Sequence, residues 1–188
     1  APAAAQNYEA HYGEDATLDD GADVASVRRC PDGGSIVVGG RRNPAFGTET
    51  RVTRVDDNGA PLWQHAYRVA DATFSRAEGV VELSDGSGFA LTGSVLQPNS
   101  GTHIYVMRLS CEGRPRWTQV LSNQDRGHRA GGQDIIEVSD PLAPAPRWHL
   151  VVVGDEQVAT PGNPVHGRIA RLDPAGNLIF DHAYADPD

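Results

Sequence analysis

The chain has 188 residues, enough for one domain with a buried core and short of a length that demands two. Its formal net charge is -9 and all 16 basic residues are arginine, so the surface repels phosphate backbones and nucleic acid is a poor partner. The absence of lysine excludes a Schiff base and a G-x-x-x-x-G-K-[ST] phosphate loop, and no apolar run approaches the roughly 20 residues needed to span a bilayer.

Only 6% of residues are aromatic, while 21 Gly and 13 Pro cut the chain into short pieces, the pattern of an all-β protein rich in turns. The amino-terminal APAAAQNYEAHYG resembles the small-residue stretch left by signal-peptide cleavage; the mature end of an exported protein and an arbitrary chain boundary are the two readings. Residues 7–13 are expected to form one strand. The following GEDATLDDGAD is the densest acidic run, and Asp15, Asp19 and Asp20 are hard oxygen ligands that would suit calcium. Its spacing is not that of an EF-hand loop, and a solvated turn is the plainer reading.

Three units follow, about 14–67, 68–121 and 122–184, each read as four strands. The first strand is VASVRRC (Val24 to Cys30) in unit one and EGVVELS (Glu78 to Ser84) in unit two. It leads to PDGG, SDGSG or the longer SDPLAPAPR, all turn-forming. The second, SIVVGG, FALTGS or LVVVGD, is a continuous apolar run suited to burial on both faces. The third, RVTRVD, IYVMRLS or RIARLD, alternates as a half-exposed strand should. The fourth, LWQHAY, RWTQVL or IFDHAY, is entered by a turn carrying Gly59, Gly113 or Gly176. In register, Trp63, Trp117 and Phe180 fall 54 and 63 residues apart, and Tyr8 falls 55 before Trp63. Internal similarity at about 50 residues is a propeller-type period, and radially repeated four-stranded units are propeller blades.

The pattern carried by Tyr12, Gly13, Ala25, Ser26, Val27, Asp32, Gly33, Gly34, Ile36, Gly39, Asp56, Gly59, Trp63 and Tyr67 resembles the repeat of secreted bacterial β-propeller proteins. It also resembles the tryptophan-docking repeat of quinoprotein-like propellers. Departures are Ser110 and Cys111 where that repeat has Asp, and Phe180 where it has Trp. The resemblance covers nearly the whole chain and implies an all-β, β-propeller-like fold of about three four-stranded blades plus one orphan amino-terminal strand. Such a set forms an open arc or part of a larger ring. Trp63, Trp117, Phe180, Tyr67 and Tyr184 are the blade-docking residues it implies.

Chemistry is sparse beside this architecture. The seven histidines are scattered singly, without H-x-H or H-x-x-x-H pairs, and no G-x-S-x-G elbow positions a nucleophile. Arg41 and Arg42 lie just after a buried strand, where the chain should emerge on a rim. Together they suit a carboxylate or an anionic sugar, loop solubility being the plainer account. The insertion PLAPAPRW ends in Trp148, read either as a rigid exposed contact element or as packing on its own blade. Cys30 and Cys111 should lie on one rim in different blades; two separate thiols are the favoured reading over a disulfide.

The expectation is therefore an exported, extracellular or periplasmic, non-enzymatic binding or scaffold protein that acts through rim loops or open blade edges as a component of a larger extracellular assembly, with no cofactor, calcium apart. Its partner would be a protein subunit or a glycan, and its ring would be completed by another chain or by a longer parent protein. The alternative is a quinoprotein-like redox propeller, for which three units are too few to enclose a wide central cofactor site.

Overall fold

The computed structural model describes residues 19–45, 47–98, 100–122, 129–140, 148–162 and 164–184. These form twelve strands and no helix, so no helix among them is long and apolar enough to cross a membrane. In chain order they are β1 (Asp19–Ser26), β2 (Ser35–Asn43), β3 (Gly47–Val55), β4 (Pro61–Tyr67), β5 (Phe74–Glu82), β6 (Phe89–Gln97), β7 (Gly101–Leu109), β8 (Pro115–Leu121), β9 (Arg129–Ser139), β10 (Trp148–Gln157), β11 (Val165–Leu172) and β12 (Leu178–Tyr184). The strands form three antiparallel runs of four, β1–β4, β5–β8 and β9–β12. Single parallel contacts, Thr48 beside Phe74 and Thr102 beside Arg129, join the runs into one mixed open sheet.

The same irregularities recur in each run. The first strand bulges opposite the second between Gly21 and Asp23, between Ala77 and Gly79, and opposite the Val153–Gly154 step. Each third strand sets an arginine opposite the aromatic position of the fourth: Arg54 with Trp63, Arg108 with Trp117, and Arg171 with Phe180. Because a strand alternates its side chains, one face of each run takes these aromatic residues and the other does not.

The core lies between runs. One layer joins Ile36, Val38 and Val52 of the first run to Phe89, Leu91, Tyr105 and Met107 of the second. The other joins Ala90, Ile104 and Val106 of the second run to Leu150, Val152 and Ala170 of the third. Alternate residues of β6 and β7 thus enter opposite layers, which explains the continuous apolar run of β6; β7 was expected to be half-exposed, and its burial on both faces corrects that expectation.

The first strands differ from the sequence expectation. They begin at Asp19 and Phe74 and end at Ser26 and Glu82, several residues earlier than the apolar pattern suggested. Acidic residues that read as turn chemistry belong to β1 because its pairing partners are on other strands: Asp20 accepts the Gly40 N–H at 2.7 Å, and Asp23 accepts the Val80 N–H at 2.9 Å. The expected strand at residues 7–13 and the candidate ligand Asp15 lie outside the described residues.

Candidate functional site

One junction is built twice between neighbouring runs. At the first, Trp63, His65 and Tyr67 project from one face of β4, with Trp63 stacked on His65 at 5.1 Å and His65 edge-on to Tyr67 at 6.1 Å. The turn between β7 and β8 lies against them. Its Gly113 has φ +75, and a Cβ there would stand 2.7 Å from the His65 ring and 2.9 Å from the Tyr67 oxygen, so both the conformation and the contact demand glycine. The Trp63 indole N–H donates to the Cys111 carbonyl at 3.0 Å, and the Tyr67 hydroxyl donates to the Gly113 carbonyl at 2.6 Å. Burial pushes the Tyr67 phenol well above its ordinary pKa, so it remains a donor at every physiological pH.

At the second junction Trp117 covers Gly176 and donates to the Pro174 carbonyl at 3.2 Å. Leu121 stands where Tyr67 stood, and Arg108 supplies another donor to Pro174 at 3.1 Å. Carboxylates tie both junctions from the following run. Glu82 accepts the backbone N–H groups of Arg28, Arg29 and Cys30, each at 2.9 Å, and Glu137 accepts that of Ser84 at 2.7 Å. Charged acceptors for otherwise unpaired turn amides are among the stronger hydrogen bonds.

Cys30 and Cys111 form a disulfide with Cα atoms 5.5 Å apart, which corrects the expectation of separate thiols. The β1–β2 turn and the β7–β8 turn face each other only because the first two runs pack together.

Trp148 is also corrected. It is 3% exposed, donates its indole N–H to Asp85 at 3.0 Å, and lies beneath the Arg108 guanidinium 5.2 Å from the ring centre. It therefore closes the second junction instead of offering a contact surface, belonging to the same buried layer as Leu150, Val152 and Ala170 of its own run and reaching across to Asp85 and Arg108 of the preceding one. Burial alone would raise the Asp85 pKa, but hydrogen bonds from Ser87 and Trp148 and the Arg108 charge more than offset this and hold it below the usual carboxylate range. Residues 141–147 of the insertion lie outside the described residues.

Arg41 and Arg42 do not emerge together on a rim. Both belong to β2, where consecutive side chains take opposite faces; Arg41 is half-buried beside Asp19 and Glu49 in the register, and Arg42 is exposed beside Thr48. They form no common clamp. Asp20 accepts Arg76 Nε at 3.1 Å besides the Gly40 amide, and of Asp19 the structure describes the backbone alone. Among the described residues no group of three or more His, Cys, Asp or Glu is arranged to hold a metal.

A serine–histidine pair occurs at His103, whose Nε2 lies 3.0 Å from the Ser100 hydroxyl. An activated pair needs a third group to orient the imidazole. His103 Nδ1 is buried with no hydrogen-bond partner, and burial with the nearby Arg168 charge lowers its pKa. The arrangement lacks the orienting carboxylate of a hydrolytic triad.

The third run presents the junction face again. Phe180 stacks on His182 at 5.4 Å and His182 meets Tyr184 edge-on at 6.5 Å, the geometry of Trp63, His65 and Tyr67. Tyr184 is 60% exposed where Tyr67 is 8%, and Ile136 and Val153 on the same face are 49% and 43% exposed. Phe180 and Tyr184 were expected to dock one blade on the next, but no described run covers them. Sequence alignment identified the aromatic positions; it carried no signal for Glu82, Glu137 or Asp23, whose partners lie more than 50 residues away. No protein-family model matches the chain, and no curated protein matches it.

Proposed function

We propose that this chain is a non-enzymatic binding or scaffold protein of the β-propeller class, in which each four-stranded run is a blade and the open face of the third blade is the working surface. The observation that carries the reading is the repeated junction: a turn of the next run lies on the aromatic face at Trp63 and Tyr67 and again at Trp117, whereas on the third run no described run lies against that face and Tyr184, Ile136 and Val153 are exposed. An exposed apolar face bounded by polar groups marks a protein contact site. Here Ile136, Val153, Phe180 and Tyr184 supply the apolar part, and Arg171, which donates to Asp140 at 3.1 Å, lies at its border. The Cys30–Cys111 bond is of the kind that persists in oxidising compartments, which supports an extracellular or periplasmic location. The His103–Ser100 pair, without an orienting acid, favours binding over hydrolysis.

Hydroxyl-radical footprinting tests the reading. Labelling of Ile136, Val153 and Tyr184 is compared in buffer and in the exported protein fraction of the cells that make the chain. Protection that disappears in an Ile136→Asp, Tyr184→Glu double variant is the expected result. Labelling of Val153 that is the same in the native chain and in the double variant in both media would overturn the proposal.

A further inference from the structure

We infer that the occupant of the open face is a second copy of this chain, docked head to tail with its β1 against β9, β10 and β12. This rests on the reading that the face is a docking surface and adds the identity of the partner.

The register makes the first and third described runs complementary. Val24, Val80 and Ile135 occupy one position, directly opposite Val37, Leu91 and Val152. Val80 and Ile135 face the preceding run and are 6% and 2% exposed, whereas Val24 is 61% exposed. The next residues, Ala25, Val81 and Ile136, face the following run. Ala25 and Val81 pack into the two core layers, whereas Ile136 is 49% exposed. The first run thus leaves uncovered the residue that a preceding run buries, and the third leaves uncovered the residue that a following run buries. One copy offers what the other lacks.

The polar groups follow the same offset. Asp23 accepts the Val80 N–H across the first junction, Gly79 stands at that position in the second run, and Asp134 holds it in the third, where one carboxylate oxygen accepts the Ile135 N–H at 2.7 Å and the other is available to a second donor. In the head-to-tail pair Asp134 of one copy receives the Val24 N–H of the other. Such a contact is heterologous, and it produces a ring when the rotation closes and a filament when it does not. Closed propellers have about four to eight blades, so two three-bladed copies fall within the range.

Analytical ultracentrifugation from about 1 to about 100 μM tests this, that being the range in which a junction of modest affinity populates. The weight-average mass should rise from the 20.0 kDa of one chain with concentration. Val24→Asp alone and Ile136→Asp alone should each abolish the rise while keeping the native melting temperature, since both side chains already face solvent. Mixed in equal amounts, the two variants should form pairs, because Val24→Asp keeps an intact third-run face and Ile136→Asp an intact first-run face. A single 20.0 kDa species throughout, or association that survives both substitutions, overturns the inference. Should the native chain remain single while footprinting shows the face protected by a different protein, the second copy is excluded and the binding function stands; with no protection either, both fall.

Discussion

Trp63 donates its indole N–H to the carbonyl of Cys111, whose sulfur is bonded back to Cys30 in the run that Trp63 itself belongs to. The first junction is therefore closed twice, once by a hydrogen bond and once covalently, across a sequence separation of 81 residues. A loop of that length corresponds to about 4 to 5 kcal/mol of unfolded-state entropy in the chain-entropy description, and measured bridges contribute about 2 to 4. Cys30→Ser with Cys111→Ser should lower unfolding free energy by about 2 to 4 kcal/mol in urea titration, and reductant should have the same effect on the native chain. Indifference of the native protein to reductant would contradict the bridge.

Trp63→Phe keeps the ring stack and removes only the donor to Cys111, so it should cost about 1 kcal/mol, the net value of one hydrogen bond. Trp63→Ala removes the packing as well and should cost about 3 kcal/mol. The third run shows that phenylalanine accommodates the stack, since Phe180 holds it with His182. Equal losses in the two variants would show that the hydrogen bond, not the ring, dominates.

Gly113→Ala should destabilise by about 2 kcal/mol or more, combining a left-handed backbone cost of about 1 to 2 with the displaced His65 and Tyr67 rings. Gly162→Ala is the control: its φ is +94, yet nothing lies within 4 Å of the added Cβ, so only the backbone cost applies. Denaturant midpoints of the two variants measure the difference.

Trp148→Ala should lower stability by about 3 to 5 kcal/mol, as for a fully buried tryptophan. It removes the Asp85 hydrogen bond and the face on which Arg108 rests. A variant that melts like the native chain would return Trp148 to the surface role read from sequence.

His103 gives a pH dependence with a definite sign. Its folded pKa lies below the ordinary histidine value of about 6.5 because burial and the Arg168 charge disfavour the imidazolium. The unfolded chain therefore binds the proton first, so the contribution is intact above pH 6.5 and is lost as pH falls from there through the folded pKa. Between pH 7.5 and 5.5 the native chain should lose more stability than His103→Gln, as read by thermal melts at stepped pH. Parallel pH profiles would place the acid sensitivity elsewhere.

Strand positions were legible because side-chain alternation, Gly-bearing turns and a repeated aromatic position are local properties. β3, β4, β8 and β12 lie where RVTRVD, LWQHAY, RWTQVL and IFDHAY placed them, give or take extensions at their starts. β1 was misplaced because Asp20 and Asp23 look like turn residues until their carboxylates are matched to donors on other strands, Gly40 and Arg76 for Asp20 and Val80 for Asp23. The Cys30–Cys111 bond, the burial of Trp148 and the divergence of Arg41 from Arg42 were likewise decided in three dimensions. Each depends on which turn of one run meets which turn of the next, or on where a strand ends. The exposure of Val24 and Ile136 belongs to the same class: their equivalents in the middle of the chain are covered, and only the packing of run on run distinguishes a residue with a neighbour from one without.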